Sequence, residues 1–245
     1  MVASVSFATF CWSGDIEKLY APGQLKKQID SCLYDFSEII VVHQNIEPLP
    51  WAGFDIGGPV IKLVNIREEE KDSLLKAFGI SLDGQYQSDT DQLHWWKNHV
   101  VNHLMAVELA DSDYIVFADA DCWIINPTDS WIKYGIAMLE HDDKIFIVSP
   151  NYGEQSRYTR RMSQQMFMAR TEEFRNADFN QPGWDRNPHV PGGPMPEYWS
   201  MAEGRIELHC RAANKYRFVS PPEYRYWHHN RFNDKGLFEI DYSKY

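Results

Sequence analysis

The sequence has few of the features that mark disulfide-stapled, zinc-binding or membrane proteins. Only four of its 245 residues are cysteine, they are widely separated, and no Cys-x-x-Cys pair occurs. This spacing argues against a disulfide framework and a structural zinc site, and it predicts reduced core thiols in a reducing, cytoplasmic compartment. No stretch approaches the roughly 18 apolar residues that cross a bilayer, and the first ten residues lack the basic region of a signal peptide.

Cations are also in short supply. The chain has 24 Lys and Arg against 35 Asp and Glu, which gives a net charge of −11. Such a charge argues against nucleic acid or an anionic membrane as partner. It does not argue against a small nucleotide, whose phosphates a metal ion and a few local cations can neutralise. With 44% hydrophobic residues and no internal repeat or linker, the chain is predicted to form one large domain.

Short apolar runs, typical of buried strands, alternate with segments of helical periodicity. Strands are predicted at 5–10, 39–43, 60–66, 145–148 and 217–220, with a further edge-type strand at 164–169. A helix after the first strand is predicted from its apolar stripe, which includes Leu25, Ile29 and Leu33. The order of strand, helix and strand makes a βαβ unit. The sequence therefore predicts an α/β fold with a mostly parallel, mixed sheet flanked by helices.

The most informative segment is Asp119-Ala120-Asp121, which ends an apolar run too short to be a helix. A buried strand that ends in two carboxylates presents them at the sheet edge where α/β proteins bind ligands. Their oxygen atoms suit Mg²⁺ or Mn²⁺, which in turn can hold a diphosphate. A strand-end turn with local hydrogen bonds is the alternative. A second pair, Asp111 and Asp113, precedes the strand and is predicted to lie in a solvated turn.

Three segments resemble the GT-A glycosyltransferases, which are Rossmann-like enzymes that use nucleotide sugars. The segments are NHLMAVELADSDYIVFADADCWI at 102–124, SQQMFMARTEEF at 163–174 and AEGRIELHCRAANKYRFV at 202–219. The resemblance covers nearly the whole chain. It implies a single GT-A domain over 1–245, with a nucleotide-sugar-binding half at 1–127 and an acceptor-binding half at 128–245.

The resemblance also implies an activity. The expected enzyme is a hexosyl- or deoxyhexosyltransferase that depends on Mn²⁺ or Mg²⁺. It transfers a sugar from a UDP-, GDP- or dTDP-sugar to a hydroxyl of a glycan, a lipid-linked sugar or a protein, with inversion. The chain departs from the family at Gly204 and Arg205, where relatives carry a Glu-Asp pair. An inactive transferase-like protein or a sugar-binding module is therefore the alternative.

Site residues follow from the same resemblance. Asp119 and Asp121 are expected to bind the metal ion, with Asp119 also placed to reach the ribose, and His228 or His229 supplies a third ligand. The nucleotide sugar is expected to contact residues at the first strand end, on the long helix and in the Asp-x-Asp segment: Thr9, Cys11, Trp12, Lys97, Asn102, Asp119 and Ala120.

Glu203 has two interpretations. In the inverting relatives an acid near this position is the general base that deprotonates the acceptor hydroxyl, and Glu203 is the nearest carboxylate to the missing pair. The sequence Ser200-x-x-Glu203 is also a capping box, in which Glu203 accepts a hydrogen bond from the backbone of Ser200 at the start of a helix. The sequence favours neither interpretation over the other.

Overall fold

The computed structural model describes residues 3–11, 23–44, 58–80, 90–151, 157–159, 165–179 and 202–228, and for residues 90–99 and 227–228 it describes the backbone alone. Within these ranges the strands are β1 (Val5–Cys11), β2 (Glu38–Gln44), β3 (Val60–Ile66), β4 (Tyr114–Asp119), β5 (Cys122–Ile124), β6 (Ile145–Ser149), β7 (Tyr158–Thr159), β8 (Met166–Arg170), β9 (Tyr216–Val219) and β10 (Tyr226–His228). The helices are α1 (Gln24–Ser31), α2 (Glu68–Ala77), α3 (Thr90–Leu109), α4 (Trp131–His141), α5 (Thr171–Arg175) and α6 (Ala202–Ala212). None of these helices has the length and hydropathy needed to cross a membrane.

Eight strands form one sheet in the order β3-β2-β1-β4-β8-β6-β9-β7. The pairs β3–β2, β2–β1, β1–β4 and β6–β9 are parallel, whereas β8 is antiparallel to both of its neighbours and β7 is antiparallel to β9. The predicted α/β class with a mostly parallel, mixed sheet is therefore confirmed. The prediction that β8 is an edge strand is wrong. Residues 166–169 are buried on both faces of the sheet, as an interior strand requires.

Helices cover both faces of this sheet. Because side chains alternate along a strand, Ala8 and Phe10 of β1 pack on the face that holds α2, α3, α5 and α6, whereas Val5 and Phe7 pack on the face of α1 and α4. The side chain of Phe117 occupies the middle of the first face. Its ring centroid lies 5.1 Å from that of His103 and 4.7 Å from that of Phe167.

The helix predicted after β1 ends earlier than its apolar stripe suggested. The last residue of α1 is Ser31, and Leu33 follows in a left-handed conformation with φ of 48°. A left-handed residue just past the last turn is a common way to end a helix. Leu33 was predicted to face the core, but its side chain is 44% exposed because the chain has already left the helix.

A short antiparallel ribbon lies beside the main sheet. It pairs β10 with β5, so that Tyr226 lies opposite Ile124 and His228 lies opposite Cys122. The side chains of Tyr226 and Cys122 pack in the same core as α1 and α4. The ribbon thus brings residues close to the end of the described chain to the segment that directly follows the Asp-x-Asp motif.

Replacing Phe117 with Ala is expected to lower the free energy of unfolding by about 3–5 kcal/mol, because it opens a cavity among closely packed aromatic rings. Urea unfolding followed by circular dichroism measures this loss. Leu33→Ala is the matched control: its side chain is 44% exposed, so a change within about 0.5 kcal/mol is expected. Equal losses in the two variants would contradict this description of the core.

Candidate functional site

The site lies where the carboxyl ends of β1 and β4 meet. These strands are parallel neighbours, with Thr9 opposite Ala118 and Phe10 opposite Asp119. On the other side of β1 the order continues to β2 and β3, so the strand order reverses between β1 and β4. Open α/β sheets have their ligand crevice outside such a reversal. The Asp-x-Asp turn begins at the last residue of β4, at this point.

The turn gathers three groups that can bind a metal ion. One carboxylate oxygen each of Asp119 and Asp121 and the Sγ atom of Cys122 lie within 4.8 Å of one another. Burial, together with the two carboxylates, raises the pKa of the Cys122 thiol well above its usual range, so the protonated thiol is the form at neutral pH. The hard ligands are therefore the two carboxylates, which fit Mg²⁺ or Mn²⁺ by their chemistry.

The backbone of the turn is held from two sides. The Asp119 N–H donates a hydrogen bond of 2.8 Å to the carbonyl oxygen of Gln165, just before β8. From α1, the amide of Gln28 donates to the carbonyl oxygens of Asp119, at 2.5 Å, and of Cys122, at 2.8 Å. These contacts fix both ends of the segment that presents Asp121.

The ribbon places His228 beside the same turn. His228 lies directly opposite Cys122, the residue after Asp121. The structure describes the backbone of His228 but not its side chain, and His229 lies outside the described residues. The hydroxyl of Tyr226, on the same strand, donates a hydrogen bond of 2.9 Å to Gln165 Oε1. The ribbon is therefore tied to the residue that accepts from Asp119.

The residues predicted to contact the nucleotide sugar differ in their surroundings. Thr9 and Cys11 at the end of β1 are fully buried. Asn102 is 9% exposed, and its Oδ1 accepts a hydrogen bond of 2.6 Å from Gln44 Nε2 at the carboxyl end of β2. Lys97 belongs to α3, of which only the backbone is described there, and Trp12 lies outside the described residues.

Glu203 is the second residue of α6. Strand β9 runs in the same direction as β4, because β9 is parallel to β6 and both β6 and β4 are antiparallel to β8. Since α6 leads into the amino end of β9, we expect the first turn of α6 towards the carboxyl ends of the parallel strands. Within the part of the chain that the structure describes, the Glu203 Oε2 atom is buried and has no hydrogen-bond partner. Burial raises the pKa of this carboxyl to about 7. Ser200, its partner in the capping box, lies outside the described residues.

The other charged residues of α6 have structural partners. Arg211 Nε donates a hydrogen bond of 2.8 Å to Glu207, whose side chain is fully buried. Arg205 is 2% exposed, and its guanidinium donates to the carbonyl oxygen of Phe179 at 3.3 Å. The positions where the relatives carry their acidic pair are therefore occupied by a glycine and a buried arginine.

Three residues of this edge were not found from the sequence: Gln28, Gln165 and His43. Gln28 could have been found, because it is a polar residue among the apolar residues Leu25 and Ile29 on the buried side of α1. His43 lies on β2 opposite Cys11, and burial lowers its pKa, so the imidazole is neutral near pH 7. Nothing in the sequence marks Gln165, because its role depends on the strand pairing of β4 with β8.

The second Asp-x-Asp pair lies at the opposite edge of the sheet. Asp111 is paired with Lys62 at 2.6 Å, and Asp113 accepts hydrogen bonds from the backbone and hydroxyl of Ser4, at 3.0 and 2.8 Å. Both residues border a cavity of about 900 Å³. The cavity's arginines are ion-paired with glutamates of α5, Arg170 with Glu173 and Arg175 with Glu172. Asp111 and Asp113 therefore make structural contacts, in agreement with the prediction that they lie in a solvated turn.

Solved structures similar to this chain include the galactosyltransferase LgtC in complex with donor and acceptor sugar analogues. That match has 10% identity and a TM-score of 0.44, and it covers 88% of this chain and 73% of LgtC. Glucosyl-3-phosphoglycerate synthase from Mycobacterium tuberculosis, in complex with Mn²⁺, UDP-glucose and phosphoglyceric acid, is 16% identical with a TM-score of 0.43, over 96% of this chain and 74% of the synthase. In its complex with Mg²⁺ and UDP the match covers 70% of this chain and only 57% of the synthase, at a TM-score of 0.36.

All three TM-scores lie below 0.5. No curated protein matches the sequence. The model of glycosyl transferase family 2 matches residues 94–196, a region that contains the Asp-x-Asp turn, β4 and β8. The predicted resemblance to glycosyltransferases, and with it the coarser prediction of a glycosyltransferase, is borne out by this match over residues 94–196.

Proposed function

We propose that this protein is a metal-dependent glycosyltransferase that moves a sugar from a nucleoside diphosphate sugar to a hydroxyl group. The observation that carries the proposal is the cluster of Asp119, Asp121 and Cys122 within 4.8 Å, at the edge where the strand order reverses. A crevice at this position is where α/β proteins bind nucleotides. The match of residues 94–196 to glycosyl transferase family 2 supports the transfer of a sugar in particular.

Asp119 and Asp121 would hold Mn²⁺ or Mg²⁺, with His228 or His229 as a third ligand. When bound, the ion neutralises charge on the diphosphate leaving group as a Lewis acid. The chain itself has a net charge of −11, so it offers the phosphates little general attraction. The position of His228 opposite Cys122 supports its part in the ligand set.

Glu203 would act as the general base. Its burial holds the pKa of the carboxyl at about 7, so near neutral pH it can both accept a proton and be present as the carboxylate. The acceptor hydroxyl gives its proton to Glu203, its oxygen bonds to the anomeric carbon, and the bond from that carbon to the diphosphate breaks. One displacement of this kind inverts the anomeric configuration.

The two halves of the chain would divide the substrates. Residues 1–127 would hold the donor, through Thr9 and Cys11 at the end of β1, through Trp12, Lys97 and Asn102, and through Asp119 and Ala120. Residues 128–245 hold the acceptor and supply Glu203. UDP-, GDP- and dTDP-sugars are the candidate donors, and a glycan, a lipid-linked sugar or a protein is the candidate acceptor. The pairing of β4 with β8 supports this division, because it joins the two halves at the Asp-x-Asp turn.

One observation favours a second candidate, a sugar-binding module or an inactive transferase. The acidic pair of the relatives is replaced by Gly204 and Arg205, and Arg205 is buried against the carbonyl oxygen of Phe179. If Glu203 serves only to support α6, no other residue of this helix's first turn can act as the base. Such a protein would bind a sugar or nucleotide without turning it over.

Release of nucleoside diphosphate from a panel of UDP-, GDP- and dTDP-sugars distinguishes the two candidates. We expect release from one donor with Mn²⁺ or Mg²⁺ and none with EDTA. Asp121→Asn should lower the rate about 100-fold or more. Mutation of a residue that only hydrogen-bonds to a metal ligand already lowers metal affinity or activity about 10–100-fold. Asp111→Asn is the matched control at the opposite edge and should keep the full rate. Sugar binding without release from any donor, with or without acceptors, would favour the binding module.

Glu203→Gln is expected to stabilise the protein and to inactivate it. An ordinary glutamate has a pKa of 4.5, and burial raises that of Glu203 to about 7. Below pH 4.5 the carboxyl is protonated in both the folded and the unfolded chain, so its burial does not lower the free energy of unfolding. As the pH rises from 4.5 to 7 the unfolded chain ionises first, and the folded state loses up to about 3 kcal/mol of stability. The glutamine variant avoids that loss.

Chemical unfolding at pH 4 and at pH 8 measures this difference. The variant should exceed the wild-type free energy of unfolding at pH 8 alone, while kcat for transfer to an acceptor falls about 10²–10⁴-fold. Glu207→Gln is the control, because it removes the negative charge that pairs with Arg211 on the same helix and should destabilise. Full transfer activity in Glu203→Gln would show that Glu203 is not the base.

A further inference from the structure

Gln28 holds the backbone of the Asp-x-Asp turn through hydrogen bonds from α1. Its side chain is fully buried on α1, and its amide group has two hydrogens. Each hydrogen is used: one bond of 2.5 Å goes to the carbonyl oxygen of Asp119 and one of 2.8 Å to that of Cys122. These two carbonyls bracket Ala120 and Asp121. A single side chain therefore fixes the peptide groups on both sides of the residues that present the carboxylate of Asp121.

This arrangement is costly to the fold. The Oε1 atom of Gln28 is buried and, among the described residues, has no hydrogen-bond partner. A buried carbonyl oxygen without a partner destabilises a protein, whereas an apolar side chain of similar size avoids that loss. The neighbours of Gln28 on α1, Leu25 and Ile29, are apolar and buried. An amide at this position is explained by the two carbonyls that it binds.

Other polar groups of α1 continue the contact along the same segment. Gln24 lies one turn earlier, and its amide is 3.5 Å from the carbonyl oxygen of Ala120. Ser31 lies one turn later, and its hydroxyl accepts a hydrogen bond of 3.0 Å from the N–H of Ile124. The spacing of 24, 28 and 31 puts the three side chains on one face of the helix. This face of α1 therefore follows the backbone from Asp119 to Ile124.

We propose that Gln28, assisted by Gln24, is a positioning residue for the divalent cation. The proposal rests on the proposed function, in which Asp119 and Asp121 are the ligands. With the carbonyls of Asp119 and Cys122 fixed, the peptide groups between them cannot rotate, and the two carboxylates keep the separation that one ion requires. Without these bonds the turn has to be ordered when the ion binds, which weakens binding.

Mn²⁺ titration followed by electron paramagnetic resonance tests this role without any turnover. The free-ion signal gives the Kd of the full chain with Mn²⁺ alone and with a nucleoside diphosphate present. Gln28→Met, which keeps the volume and removes the donors, should raise the Kd at least about tenfold. Ile29→Ala is the matched control on the same helix, because it removes a buried apolar side chain of α1 that makes no hydrogen bond to the turn, and its Kd should stay within about twofold of wild type. Thermal unfolding of each variant reports whether it is folded.

The outcomes separate this proposal from the proposed function. A wild-type chain that binds no Mn²⁺ would overturn both. Normal Mn²⁺ binding by the wild type and by folded Gln28→Met would overturn the positioning role alone. An equal loss of affinity in Ile29→Ala would also overturn it, since the effect would then come from the stability of α1. Should Gln28→Met fail to fold, Gln24→Met on the half-buried first turn should raise the Kd about threefold, and an unchanged Kd would reject the role.

Discussion

The parallel pairing of β1 with β4 is the constraint on which the candidate site depends. It places Phe10 opposite Asp119, so the Asp-x-Asp turn leaves the sheet beside the end of the first strand. Every other part of the site is arranged around this turn. Gln28 of α1 donates a hydrogen bond to the turn, and the carbonyl oxygen of Gln165, just before β8, accepts one from the Asp119 N–H. Strand β10 brings His228 opposite Cys122.

Two of the buried polar groups near this edge, the Glu203 carboxyl and the Gln28 amide, reduce stability and are explained by chemistry at the site. The Glu203 carboxyl has an unpartnered oxygen and a pKa raised to about 7, and the Gln28 amide has an unpartnered oxygen beside the turn, in the part of the chain that is described. By contrast, Glu207 and Arg211 form an ion pair on the same helix as Glu203. On α6, the paired Glu207 therefore serves the fold, whereas the Glu203 carboxyl keeps an oxygen without a partner among the described residues.

Local patterns were enough to predict the fold class and the turn. The strand from Tyr114 to Asp119 follows from an apolar run that ends in carboxylates. The α/β order follows from short apolar runs that alternate with segments of helical periodicity. Pairing between distant strands was not predictable. An apolar run such as 166–170 has the same sequence pattern at an edge as in the interior, so the central place of β8 emerged only from the structure. The burial of Glu203 and the contacts of Gln28 depend in the same way on packing between distant segments.

A crystal structure with Mn²⁺ and a nucleoside diphosphate would show whether the Asp-x-Asp turn holds the metal ion, because anomalous scattering identifies the position of the ion. We expect one manganese peak within coordination distance of Asp121, about 2.1–2.2 Å from a carboxylate oxygen, with the diphosphate beside the end of β1. A manganese or nucleotide peak confined to the opposite edge, near Asp111 and Asp113, would contradict it. So would a nucleotide bound at the crevice with no ion between it and the turn.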